Sequence, residues 1–232
     1  MTSEDSRAPV SLILADTALE LVPRRLTTHP SVQSSAQKQG RDPSRILLDS
    51  SFHHRAMRGL DDHQRRGRPD IAHFCALLAQ GSRMAQAGRL RLFIHTYIDE
   101  VVWVAPETRL PRVYDRFKGL MEQLFTEGAV PKDEPLLRLE DGGLKELLER
   151  LEPSRTVLLT PSAKRTTFAK LFPAKKRVDG AAVAIGGFAH SEFRAKTAAL
   201  FSEHASVADE AMEAWAIEGE LLHRLADVDG LK

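Results

Sequence analysis

Apolar positions along the chain come in two rhythms. Short dense runs read as buried strands, and stretches with apolar residues three or four apart read as helices. Val10 to Ala15 is the first strand, with a short helix predicted over Thr17 to Val22. His29 to Pro43 is rich in Ser, Gln, Pro and Gly and reads as a loop or mobile linker. Arg45 to Leu48 is a second strand, followed by a helix over His54 to Leu60 and a charged loop, Asp61 to Gly67. Pro69 to Ala79 has one apolar face and reads as a helix. Leu90 to His95 and Glu100 to Val104 are strands around a tight turn at Tyr97-Ile98-Asp99. A helix is predicted from Pro111 to about Glu127, and another over Leu144 to Leu151. Thr156 to Leu159 is a strand, Ala163 to Leu171 a basic helix, and Ala181 to Ile185 a strand ending at Gly186-Gly187. Val207, Ala211, Trp215, Leu221, Leu222 and Leu225 predict one long helix from Ser206 to Ala226, as core or subunit interface. Strands alternating with helices imply an α/β fold with a mostly parallel sheet, whose ligands bind at the C-terminal strand ends. Thr160 and Gly186 mark those ends.

Composition narrows the function. Lys and Arg number 33 against 32 Asp and Glu, so the chain is not a globally basic nucleic-acid binder. The basic residues cluster all the same. Arg65, Arg66 and Arg68 form one group, and Arg109, Arg112 and Arg116 a second. Lys164, Arg165, Lys170, Lys175, Lys176 and Arg177 form a third. The single cysteine, Cys75, excludes an intramolecular disulfide and sits in an apolar helix as a structural thiol. No apolar run reaches the roughly 18 residues of a membrane span. The N-terminal M-T-S-E-D-S does not resemble a signal peptide, so a cytoplasmic location is expected.

The densest chemistry lies at Arg109 to Met121. Pro111 suits a first helical position, which would put Arg112 and Arg116 one turn apart on one face. Cations at the positive end of a helix make sense if an anion binds there, and guanidinium forks match phosphate. Arg68-Pro69-Asp70 opens another helix, where Asp70 either serves a simple capped helix start or holds the Arg68 side chain. The loop Gly186-Gly187-Phe188-Ala189-His190-Ser191 leaves a strand directly, either as a ligand loop or as a plain turn. Nine histidines show no metal-ligand spacing, so no metal is expected. His73 reads as a core histidine. There is no G-x-S-x-G element.

Four segments, in order, carry a family resemblance. They are L-L-D-S-S-F-H-H-R-A-M (47–57), R-G-R-P-D-I-A-H-F (66–74), R-L-R-L-F-I-H-T (89–96) and P-E-T-R-L-P-R-V-Y-D-R-F-K-G-L-M-E-Q-L-F (106–125). The chain resembles the archaeal-type N1-specific pseudouridine methyltransferases of small-subunit ribosomal RNA, SPOUT-class enzymes related to a eukaryotic ribosome-biogenesis factor. The resemblance runs from about residue 10 to about residue 210. It implies a SPOUT-type parallel sheet flanked by helices with a C-terminal trefoil knot, a pocket for S-adenosylmethionine, and a homodimer working on ribosomal RNA within a pre-ribosomal particle. One SPOUT domain would span 1–232, with 45–130 as the RNA-binding region and 155–232 as the knot and cofactor part.

Residue by residue, the resemblance implies RNA contacts at Arg68, Arg109, Arg112 and Arg116, with Arg68 and Asp70 catalytic. It implies cofactor contacts at Thr160, Gly186 through Ser191, and Phe201, Ser202, Glu203, His204, Ala205 and Ser206. The chain departs from the family pattern in three places. Ser191 stands where glycine is usual, F-S-E-H-A-S replaces I-S-x-x-P-L, and Gly81 stands where relatives often carry an acidic residue. Asp70 or water is left as the base. Two other readings share the arginine motifs: an assembly factor with little or no methyl transfer, and an enzyme for another RNA target.

Overall fold

The computed structural model describes residues 7–174, 178–189 and 191–231. The strands among them are β1 (Val10–Thr17), β2 (Leu90–Thr96), β3 (Val101–Val104), β4 (Ala129–Val130), β5 (Leu137–Leu139), β6 (Thr156–Leu159), β7 (Ala182–Gly186) and β8 (Glu203–Ala205). The α-helices are α1 (Pro30–Gln39), α2 (Ser50–Met57), α3 (Pro69–Gly81), α4 (Arg83–Gln86), α5 (Tyr114–Glu127), α6 (Leu144–Leu151), α7 (Phe168–Leu171), α8 (Ala195–Ala198) and α9 (Ala214–Asp229).

All eight strands form one sheet in the order β4-β5-β3-β2-β1-β7-β6-β8. β2, β1, β7, β6 and β8 run parallel, while β3, β5 and β4 add an antiparallel edge. Leu12 stands opposite Leu92 on one side and Val183 on the other. β1 is buried along its whole length, as expected of a parallel strand covered on both faces. Val10, Leu12 and Leu14 pack with residues of α3, α5 and α9, and Ile13 and Ala15 with Leu144, Leu147 and Phe201 on the other face. A smaller core joins Val32, Ala36, Ile46, Leu48, Ala56 and Met57 under α1 and α2.

Several sequence expectations change. The segment 29–43 is largely helix α1. His29 caps it by accepting the Ser31 N–H, Pro30 takes the first turn, and Gly40 closes it with φ 62°. Its polarity hid two buried residues one turn apart, Val32 and Ala36. Thr17 to Val22 is not a helix. Thr17 ends β1, and Leu21 bridges Leu47 in an antiparallel pair, with Pro23 barring a helix beyond. Arg45 to Leu48 is accordingly a single bridge after a 3-10 turn at Pro43–Arg45. α2 begins earlier than predicted, at Ser50, because Asp49 accepts the Ser51 N–H. The basic helix shrinks to α7, since Arg165 pairs with Ser206 as an extended segment. α9 starts at Ala214, so Val207 and Ala211 are not helical. Lys175, Lys176, Arg177 and His190, with residues 1–6, lie outside the described residues.

Candidate active site

The parallel strands β1, β6 and β7 end together, and a loop crosses between them. The Gly187 N–H donates to the Ala15 carbonyl, and the Ala18 N–H donates to the Gly187 carbonyl, each at 2.9 Å. A Cβ at position 187 would lie 2.3 Å from Thr17 Oγ1 and 2.8 Å from Thr17 Cα, so only glycine lets the loop pass over β1. Asp16 anchors the far side of this loop. Its carboxylate takes the Arg194 backbone N–H and guanidinium and the Thr197 hydroxyl, at 2.6 to 2.8 Å. Asp16 is buried and adopts φ 52°, and nothing in the sequence alone marked it or Arg194.

Under the loop lies a cavity of about 250 Å³. Thr160, Gly186, Phe188, Ala189, Ser191, Ala205 and Ser206, all positions at which the resemblance implies cofactor contacts, line it. Glu192, Val207, Glu210, Met212 and Ile217 also do, outside those positions. Thr160 donates its N–H to the Ala205 carbonyl and its hydroxyl to Glu192 Oε2, at 3.0 and 3.1 Å. Phe201, Ser202, Glu203 and His204 do not line the cavity. Phe201 is core, Ser202 bonds Thr156, Glu203 pairs with Arg155, and the His204 ring meets the Ala198 and Phe201 carbonyls. The strand pattern explains the split: β8 is an edge strand, and the chain turns into the cavity only at its last residue, Ala205. Ser191 holds φ 145°, a region that favours glycine, at one of the positions where the resemblance implies a departure.

The arginine loop attaches to the same place. Ala18 receives the Arg68 N–H at 3.0 Å, so one residue is bonded to both Gly187 and Arg68. Arg68 precedes α3 directly, and its guanidinium grips Asp70 with both Nε and Nη2, at 2.8 and 2.7 Å. The bond to Asp70 raises the Arg68 pKa above its ordinary value. Its Nη1 has no partner among the described residues. Arg66 is clamped by Glu20 with Nε and Nη2 at 2.7 and 2.6 Å.

His73, one turn into α3, ties the two motifs together. Its ring stacks on Phe117 and its Nε2 lies 2.7 Å from the Pro111 carbonyl. That contact holds 109–112 out of helix, which corrects the expected start at Pro111. α5 begins at Tyr114, with Val113 at its cap position, so Arg112 sits just before the helix and Arg116 in its first turn. Arg109, Arg112 and Arg116 are exposed, and none makes an ion pair among the described residues. Tyr114 was missed in the sequence. Its hydroxyl donates to Asp49 at 3.0 Å, and burial, first, with the Asp49 charge pushes its pKa well up.

A profile of the EMG1/NEP1 methyltransferase family matches residues 12–226. The chain belongs to the EMG1/NEP1 methyltransferase family. A protein of Pyrococcus furiosus named ribosomal RNA small subunit methyltransferase Nep1 is 42% identical over 214 residues, covering 91% of this chain and 93% of that protein. Its namesake in Thermococcus sibiricus is 40% identical over 211 residues, covering 91% and 94%. The crystal structure of Archaeoglobus fulgidus Nep1 bound to S-adenosylhomocysteine superimposes with a TM-score of 0.84 at 33% identity, covering 97% of this chain and 99% of that one. The α/β fold with its mostly parallel sheet is thus that of the EMG1/NEP1 family. No helix among the described residues is long and apolar enough to cross a membrane, and none of their His, Cys, Asp and Glu side chains group to hold a metal.

Proposed function

We propose that this chain transfers the methyl group of S-adenosylmethionine to N1 of a pseudouridine in small-subunit ribosomal RNA. The observation that carries the reading is Ala18, which bonds a loop over a strand-end cavity and a loop of anion-binding arginines side by side. Family membership and the S-adenosylhomocysteine complex of the Archaeoglobus relative support the donor. The cavity suits it: the walls are largely apolar, with the Glu192 and Glu210 carboxylates for a cationic ligand and the bare backbone of Gly186, where a Cβ would meet the Phe188 ring at 3.0 Å.

S-adenosylmethionine supplies an electrophilic methyl group on a sulfonium centre. The chain's own residues position the nucleotide. Arg109, Arg112 and Arg116 neutralise phosphates, and a base turned out of an RNA loop enters beside Arg68. Arg68 presents its open Nη1 edge to a base carbonyl and stabilises the charge that develops as N1 loses its proton. Both Asp70 oxygens are engaged, so Asp70 fixes the guanidinium and the proton leaves to water.

The active form is a cytoplasmic homodimer acting in a pre-ribosomal particle, and its C-terminal part is knotted. The strand order β7-β6-β8 and the hydrogen bonds lacing Ser206 to Lys164 and Thr166 support the knot. Exposed Phe74, against Trp215, and exposed Leu78 on the α3–α9 face support the dimer. Methyl transfer to matched stem-loops carrying uridine or pseudouridine at one site tests the reaction. Transfer to the pseudouridine loop alone is expected, and RNA binding without transfer to either would point to an assembly factor.

A further inference from the structure

Three arginines among the described residues are buried: Arg65, Arg66 and Arg89. Two are neutralised. Arg66 is clamped by Glu20, and Arg89 by Asp179 and Asp229. Arg65 is 8% exposed and has no carboxylate partner among the described residues. Its guanidinium lies over the Phe188 ring, 5.2 Å from the centroid, and its Nη2 is sealed from solvent with no acceptor. No guanidinium nitrogen of Arg65 makes a hydrogen bond among the described residues. A ring face attracts a cation but does not replace a counter-ion, and a desolvated unpaired charge is costly.

The position gives this cost a use. Arg65 ends the 3-10 turn that leads to Arg68, and Phe188 belongs to the loop that walls the cofactor cavity. Both loops are fastened to Ala18. Arg65 therefore sits at the seam where a bound nucleotide would pass from the arginine face to the methyl donor. Phe188 lines the cavity and Arg65 does not, so the ring separates this charge from the cofactor.

We infer that Arg65 holds a backbone phosphate of the bound RNA at this seam. The inference rests on the RNA-methylating reading above. A phosphodiester supplies the missing negative charge, and its oxygens fit the guanidinium fork. The contact positions the strand and carries no base information.

The test is Arg65→Met, which keeps an unbranched stem over Phe188 and removes the charge. RNA affinity is measured against salt concentration for uridine and pseudouridine stem-loops, with S-adenosylhomocysteine affinity and melting temperature alongside. RNA affinity should fall about tenfold or more, as for a lost charged hydrogen bond. The salt slope should drop by about one ion, equally for both loops. S-adenosylhomocysteine binding should not change, and the RNA-free variant should melt at or above the wild-type temperature. Arg65→Lys, a point charge without the fork, should recover part of the affinity. Unchanged RNA affinity and slope would overturn the assignment. So would a loss confined to the pseudouridine loop, a loss of S-adenosylhomocysteine binding, or a lowered melting temperature with salt slope intact. Wild-type protein that binds RNA without methylating it would sink the proposed reaction and leave the Arg65 binding test standing.

Discussion

The cavity and the arginine face meet at one residue but are built from different materials. The cavity is made of backbone at strand ends, closed by small and apolar side chains and a loop that needs glycine at 187. The arginine face is made of side chains, some clamped by carboxylates and some left open. Arg66 and Arg68 are held rigidly by Glu20 and Asp70, whereas Arg109, Arg112 and Arg116 are exposed and unpaired among the described residues. A site that must fit one small molecule can rely on shape. A site that must catch a flexible polyanion needs charge, with rigidity kept for the group nearest the chemistry.

The largest effect should follow from Arg68→Ala. Methyl transfer should fall at least about a hundredfold, the usual cost of a donor aimed at developing charge, with S-adenosylhomocysteine affinity unchanged. A parallel loss of S-adenosylhomocysteine binding would mean that the two regions are not separable. Gly187→Ala should do the reverse. Its Cβ would meet Thr17 backbone at 2.8 Å, which no side-chain rotation relieves. Calorimetry should show S-adenosylhomocysteine binding lost or strongly weakened, while RNA binding through the exposed arginines survives. Arg112→Ala is the milder counterpart. RNA affinity should fall about tenfold and the salt slope by about one ion, with S-adenosylhomocysteine binding intact.

The two regions were unequally legible in the sequence for the same reason. Arg68, Asp70, Arg109, Arg112 and Arg116 are candidates through their side chains, so residue type and spacing exposed them. The pairing of Arg68 with Asp70 follows from their neighbouring places at the start of α3. The cavity acts through backbone, and only strand ends pointed to it. Thr160 and Gly186 could be placed by that rule, but Phe201 to His204 could not be separated from Ala205 and Ser206 without knowing that β8 lies on an edge. Helix boundaries failed where a tertiary contact decides them. The Pro111 carbonyl is taken by His73, 38 positions away, and α5 starts later for it. α1 failed differently: its cap signals at His29, Pro30 and Gly40 were present, and composition outweighed them.

Buried ionisable groups offer a way to weigh the two regions by pH. Glu218 on α9, next to the cavity residue Ile217, is fully buried with only the Cys75 thiol to meet its carboxylate among the described residues, and burial pushes its pKa well above the usual carboxylate range. The folded state therefore keeps this proton after the unfolded chain has lost it near about pH 4.3, and its contribution to stability fades as pH rises. His53, beside Asp49 and Lys118 on the arginine side, has its pKa lowered, chiefly by burial. Its contribution is present above about pH 6.5 and fades as pH falls. In urea unfolding, Glu218→Gln should gain on wild type steadily from about pH 5 to pH 8. A constant difference across that range would show that Glu218 does not titrate with folding.

Ser191 provides the smallest effect and the finest comparison. It is the one lining residue whose backbone, at φ 145°, suits glycine and not the residue present. Side chains held in such regions cost of order 1–3 kcal/mol. Ser191→Gly removes the backbone strain but also loosens the unfolded chain, which offsets up to about 1 kcal/mol. The net expectation is a stabilisation of about 1 kcal/mol, seen as a higher midpoint in urea, with RNA affinity unmoved because the exchange alters no charge on the arginine face. S-adenosylhomocysteine affinity should hold or rise, since the cavity wall is shaped by the backbone at this point and not by the hydroxyl. If affinity falls instead, the Ser191 hydroxyl is a ligand group. The contrast between a cavity of backbone and a face of side chains would then fail at this turn.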